Sequence, residues 1–221
     1  MSVALAYYRA PPTWTFAGLF KALSSRLGGD VEPLDEPSIQ RLVAQARTGD
    51  RIAAQRVYRQ LVDRVFRVVR GVLRSNAEAE DVTQDAMLTV LTSLARYSPR
   101  SDARFATWVT SIALNTARRR FRRRRPELTE TGDLPDVVDD NAEPERDVDT
   151  SRERAALLRA LAELAPAERE IVSLRYGAEL NASEIAEVLK LEPANVRKIL
   201  ERLRERLAVR IEALLKQGAL S

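Results

Sequence analysis

The chain contains no cysteine and no histidine. Without cysteine it has no disulfide framework and no thiol nucleophile. Without histidine it lacks the commonest general base near neutral pH and the commonest metal ligand. Carboxylates are left as the main route to metal chemistry. Aromatics make up only 5% and glycines number 8 among 221 residues, a composition that favours helices over sheets. No run approaches the roughly 18 apolar residues needed to cross a bilayer. The first residues lack the basic-then-apolar order of a secretory signal. The expectation is a soluble, cytoplasmic protein with no membrane insertion, no cofactor and no metal site.

What the chain does have is charge. Asp, Glu, Lys and Arg reach 31%, with a net charge of +4 and a pI of about 9.7. That balance fits a polyanionic partner or a solvated helical surface. An apolar share of 45% is enough to build helical cores.

Residues 1–37 stand apart, with Pro11, Pro12, Pro33 and Pro37 around a stretch in which Trp14, Phe16, Phe20, Leu23 and Leu27 share one helical face. They read as an N-terminal extension, either a docking or regulatory segment or a poorly ordered one. A helical domain is predicted over 38–125. Ser38 is placed to cap a first helix that stops at Gly49, and Asp50 to cap a second carrying Val57, Leu61, Val65, Val68 and Val72. A third helix is expected over 78–95, burying Val82, Ala86 and Val90. A fourth begins near Arg104 and ends in an arginine run at Pro126. Residues 126–149 are acidic, proline-punctuated and short of apolar side chains, which predicts a flexible linker. The second domain is assigned to 150–221. There Thr150-x-x-Glu153 and Asn181-x-x-Glu184 have capping-box spacing, and Pro193 opens the last helix. The fold class is all-α: two small helical domains joined by an acidic linker, the C-terminal one a helix-turn-helix.

Three surfaces stand out. In the last helix, Asn195, Arg197, Lys198 and Arg202 lie near the N-terminus, where a helix-turn-helix reads base edges; Val196, Ile199, Leu203 and Leu207 form its buried side. A helical hairpin with charged outer faces has the same layout. In the third helix, Asp81, Gln84, Asp85 and Leu88 fall at i, i+3, i+4 and i+7 and share an acidic-polar face. That face suits a protein partner with basic side chains, or plain solvation. In the fourth, Trp108 and Ile112 lead to Asn115, Arg118, Arg119 and Arg122, cations suited to a nucleic-acid backbone. The polar segment 97–103 before it has room to receive an extruded base.

Five motifs then occur in order: Ala44-x-x-x-x-Gly49-Asp50, Ala79-Glu80-Asp81-x-x-Gln84-Asp85, Phe105-x-x-Trp108-x-x-x-Ile112-Ala113-x-Asn115, Leu164-x-Pro166-x-x-Arg169-Glu170 and Glu184-Ile185-Ala186. With these the chain resembles the bacterial sigma-70 family of RNA polymerase sigma factors, of the extracytoplasmic-function (ECF, group 4) type, over about 39–120 and 151–210. The resemblance implies a protein, not itself an enzyme, that binds core RNA polymerase and directs transcription from promoter DNA. It assigns core binding to Asp81, Gln84, Asp85 and Leu88. It assigns opening and reading of the minus-ten element to Tyr97, Arg104, Trp108, Asn115, Arg118, Arg119 and Arg122. Duplex reading of the minus-thirty-five element falls to Asn195, Arg197, Lys198 and Arg202. It also implies an anti-sigma factor as partner. The chain departs from the family where Arg119 replaces a frequent acidic residue and Lys198-Ile199 a usual Ser-Arg, so promoter specificity is not carried over.

Two other readings fit parts of the sequence. A stand-alone helix-turn-helix regulator needs no acidic docking face. A metal-dependent nuclease or phosphotransferase built on Asp139 and Asp140 would need rigid support that the linker composition does not supply.

Overall fold

A computed structural model of the chain describes residues 34–73, 75–98, 104–131 and 148–218. Among the described residues every regular element is helical. The residues 1–33, the acidic stretch 132–147 with Asp139 and Asp140, and positions 99–103 lie outside them.

Helix α1 spans Glu36–Arg47 and α2 spans Arg51–Leu73. The cap of α1 is Asp35, whose carboxylate accepts the Ser38 N–H at 3.1 Å. Ser38, expected as the cap, lies inside the first turn. Pro37 fits there because an N–H in the first turn has no intrahelical acceptor to lose. Gly49, at φ +94°, turns the chain after α1, a conformation that glycine adopts without Cβ strain. Asp50 then accepts the N–H groups of Ile52 and Ala53 at 2.8 and 3.1 Å and starts α2.

α2 is the central element. It buries Ala53, Val57, Leu61, Val65, Val68 and Val72 along one stripe, with Val62, Phe66, Val69 and Leu73 beside them. A stripe this wide cannot be covered by one neighbour, and α2 packs against α1, α3 and α4 as well as against the C-terminal half of the chain. Helix α3, Asn76–Ser93, is capped by Ser75 and buries Val82, Ala86, Met87 and Val90. A short 3₁₀ turn over Leu94–Arg96 closes it.

Helix α4 runs from Phe105 to Thr131 and therefore passes through Pro126, where the sequence pattern suggested a stop. A proline removes one N–H and crowds one carbonyl, which weakens a turn without forbidding it. Elongation from a long packed helix is far easier than nucleation.

In the C-terminal half, α5 spans Val148–Ala162, α6 spans Pro166–Val172, α7 spans Ala182–Leu189 and α8 spans Pro193–Gly218. A π turn, Ser173–Gly177, extends α6. Thr150 lies within α5 and not at its start. The helix is held by Ala156, Leu157 and Ala160 in the core, and such packing lets it propagate past a local cap signal. Ala165 N–H donates to Glu168 at 3.0 Å, and Pro166 occupies the first position of α6.

The buried side chains of both halves form one continuous cluster, in which Leu174, Leu180 and Ile185 join the valines of α2 and the helix α8 residues Val196, Leu200, Leu203 and Leu207. Fully burying a leucine such as Leu174 or Leu180 stabilises the fold by about 1.5–3 kcal/mol. Truncating one to alanine would cost about 2–5 kcal/mol once the cavity is included.

Candidate nucleic-acid interface

The outer face of α3 carries Asp81, Gln84, Asp85 and Leu88, all exposed. Leu88 is 63% exposed on a helix whose opposite side is fully buried. Thr89 and Thr92 next to them turn their hydroxyls back to the carbonyls of Asp85 and Leu88, each at 2.8 Å. The acidic groups are thus left facing outward with an apolar residue among them.

The seven residues assigned to the start and face of α4 divide into three groups. Asn115, Arg119 and Arg122 are exposed along one side of the helix. Tyr97 and Trp108 belong to an aromatic cluster with Phe105. The Tyr97 ring lies 4.9 Å from both Phe105 and Trp108, and Trp108 stacks on Phe105 at 5.5 Å. Tyr97 is only 5% exposed, so its ring is core in this arrangement, and Trp108 is half-buried.

The third group, Arg104 and Arg118, reaches across to the C-terminal half. Arg118 donates from Nε and Nη2 to the two carboxylate oxygens of Glu170 at 2.7 and 2.5 Å. Arg104 makes the same fork onto Glu184, with Nη2 to Oε2 at 2.6 Å. Such two-pronged pairs are the strongest charge-assisted contacts available to these side chains. The carboxylate bonds raise the pKa of both guanidinium groups. For Glu184, burial pushes the pKa up, but Arg104, the Asn181 N–H and nearby Arg64 outweigh it and hold the carboxyl below its usual range. Arg67 adds a bond from Nε to the Gly177 carbonyl at 2.7 Å. Beside the Arg118–Glu170 pair, Val72, Phe121, Arg122, Pro166 and Arg169 complete the wall of a cleft of about 200 Å³.

The helix-turn-helix forms as its capping signals predict. Asn181 accepts the N–H groups of Ser183 and Glu184 at 2.9 and 3.0 Å, and Glu184 returns a bond from the Asn181 N–H at 2.8 Å. Lys190, at φ +57°, ends α7 in the left-handed conformation. Leu191 N–H then bonds the Ala186 carbonyl at 2.9 Å, and Pro193 starts α8. Val196, Leu203 and Leu207 are buried, while Asn195, Arg197, Lys198 and Arg202 point outward from the first two turns and beyond. That leaves donors for guanine and adenine edges on one accessible helix end.

The family model for Sigma-70 region 2 matches residues 57–127 and that for Sigma-70 region 4 matches residues 160–208. The ECF RNA polymerase sigma factor SigE of Mycolicibacterium smegmatis is 34% identical over 184 residues, 80% of this chain and 69% of that protein. The chain belongs to the sigma-70 family, extracytoplasmic-function type.

The ECF sigma factor BldN of Streptomyces coelicolor is 32% identical over 157 residues, covering 70% of this chain; the chain spans 59% of BldN's own length. Two solved structures share the fold. CnrH, in complex with the cytosolic domain of CnrY, superposes with a TM-score of 0.57 at 23% identity over 80% of this chain and 98% of that one. RpoE of Bartonella quintana, in complex with the anti-sigma factor NepR, gives 0.54 at 15% identity over 80% and 95%.

In this sigma factor the contacts between regions 2 and 4 are not legible in the sequence. Glu184 was legible as a capping residue, and Arg104 and Arg118 as cations. Nothing local signals that each carboxylate serves an arginine of the other region. Gly71 carried no signal, and Gly177 was legible only as the end of the helix with Ile171, Val172 and Leu174, although both allow the close approach of the two halves. Among the described residues, no group of three or more Asp or Glu side chains is arranged to hold a metal ion, and no helix is long and apolar enough to cross a membrane.

Proposed function

We propose that this chain binds core RNA polymerase in the cytoplasm and confers promoter recognition on it, without catalysing a reaction itself. The observation that carries the reading is the pairing of regions 2 and 4 on one chain, with an outward acidic face on α3 and outward base-reading donors on α8. A duplex reader alone has no use for the α3 surface. Asp81, Gln84 and Asp85 offer charge to a basic partner surface, and Leu88 offers an apolar anchor at its centre.

Under this reading, Asn195, Arg197, Lys198 and Arg202 contact the minus-thirty-five duplex. Asn115, Arg119 and Arg122 bind the minus-ten strand, with Arg104, Trp108 and Arg118 at the edge of the same surface and Tyr97 packed beneath it in the aromatic cluster. The segment 97–103 receives the extruded base. An anti-sigma factor is the natural further partner, as NepR is for RpoE of Bartonella quintana. Domain limits of 38–125 and 150–221, with an acidic linker over 126–149, follow the same scheme.

The test mixes the purified protein with cognate core RNA polymerase beside the Asp81→Arg variant, and follows complex formation by size exclusion. A complex that forms with wild type and is lost in the variant supports the reading. No complex with wild type would favour a stand-alone helix-turn-helix regulator.

A further inference from the structure

Helix α1 precedes the residues matched as Sigma-70 region 2. It nevertheless holds both flanks of the segment between Tyr97 and Arg104. At one flank, Gln40 Nε2 donates to the Tyr97 hydroxyl at 3.2 Å. At the other, Glu36 Oε1 accepts the backbone N–H of Phe105 at 2.9 Å. That N–H belongs to the first turn of α4, where no carbonyl of the same helix can serve it. The carboxylate also places negative charge at the positive end of a 27-residue helix. The two anchors are one unit, because Gln40 Nε2 donates to Glu36 Oε1 at 2.9 Å from one turn further along α1.

α1 packs on the core through Val43, with Ile39, Leu42 and Ala46 partly buried against it. Val43 is its only fully buried residue among 12. Its polar side chains at 36 and 40 reach one side-chain hydroxyl and one backbone N–H more than fifty residues away in sequence. The Tyr97 ring meets Phe105 edge-on at 4.9 Å, so the two flanks touch each other as well as α1.

We propose that Glu36 and Gln40 are positioning residues for minus-ten reading, a carboxylate–amide clasp that sets the spacing and direction of the two flanks at Tyr97 and Phe105. The proposal rests on the reading of that segment given under Proposed function. Neither side chain contacts DNA; both act through the Tyr97 hydroxyl and the Phe105 amide. Fixing the flanks in advance removes an ordering cost that promoter opening would otherwise carry.

The experiment uses the holoenzyme assembled from the full chain and cognate core, on a promoter carrying a fluorescent adenine analogue in the minus-ten element. Glu36→Ala and Gln40→Leu are each expected to slow opening by about tenfold. Core affinity and binding to a duplex holding only the minus-thirty-five element stay unchanged. Glu36→Gln keeps an acceptor oxygen for the Phe105 N–H and recovers most of the rate. The double variant is no slower than the worse single one, because both break one clasp. Gln40→Leu preserves length and helix propensity and carries the test if Glu36→Ala fails to fold. Wild-type opening rates in the folded variants would overturn the proposal, and so would a parallel loss of core or minus-thirty-five binding. A wild-type holoenzyme that forms but opens no promoter would instead sink the sigma reading, and this proposal with it.

Discussion

Gly71 of α2 and Ser173 of the π turn approach so closely that a Cβ on Gly71 would lie 2.9 Å from the Ser173 Cβ and overlap its hydroxyl oxygen. The hydroxyl is not free to swing away, since it donates to the Arg169 carbonyl at 2.7 Å. Gly71→Ala adds about 0.8–1 kcal/mol of helix propensity within α2. The overpacking against Ser173 costs about 1–3 kcal/mol, and that cost falls on the contact between regions 2 and 4. The variant should show a larger radius of gyration by small-angle scattering and a split melting transition. Combining it with Ser173→Gly, which removes both crowded atoms, should restore the wild-type profile. An unchanged radius in the single variant would mean that the docked arrangement is not the one populated in solution.

The fork between Arg118 and Glu170 ties up a cation of the proposed minus-ten surface. If nucleic acid and Glu170 compete for it, Glu170→Gln should tighten binding of a single-stranded minus-ten oligonucleotide by about tenfold, equivalent to ~1.4 kcal/mol. Arg118→Ala should abolish that gain in the double variant. Fluorescence anisotropy at one fixed salt concentration measures this, because phosphate contacts are salt-dependent. Equal affinities for wild type and Glu170→Gln would show that Arg118 does not limit binding.

Glu184 gives the docked state a pH dependence. Its folded pKa lies below the ordinary value of 4.5, so the unfolded state binds more protons as pH falls. Its contribution is therefore fully present above that ordinary range and is lost as pH drops through the lowered folded value. The melting temperature should decline on acidification through this window, and less steeply in Glu184→Gln. Matching slopes for the two proteins would remove Glu184 from the account.

Arg197 on α8 is exposed and near the helix N-terminus. Arg197→Ala should weaken binding to a minus-thirty-five duplex by about 1–3 kcal/mol if it reads a base edge, while leaving core polymerase binding intact. Equal weakening on unrelated duplexes would reassign it to a backbone contact.

The helices and the helix-turn-helix were legible because their signals are local. Asp50, Asn181, Glu184 and Pro193 act within three or four residues of themselves, and the valines of α2 recur at helical spacing whatever lies opposite. Helix limits were less legible. Ser38, Pro126 and Thr150 each carry a stop or start signal that a better cap or a longer packed helix outcompetes. The partners of the arginines were not legible at all. Arg118 meets Glu170 from 52 residues away and Arg104 meets Glu184 from 80. Which charges face each other depends on how the two helical layers dock, and that docking turns on shape at Gly71 and Gly177. The chain's own order of residues therefore determined the helices, the caps at Asp50 and Asn181, and the family. Only the packed tertiary structure decided which cations remain exposed, because burial and pairing depend on neighbours that sequence distance does not encode.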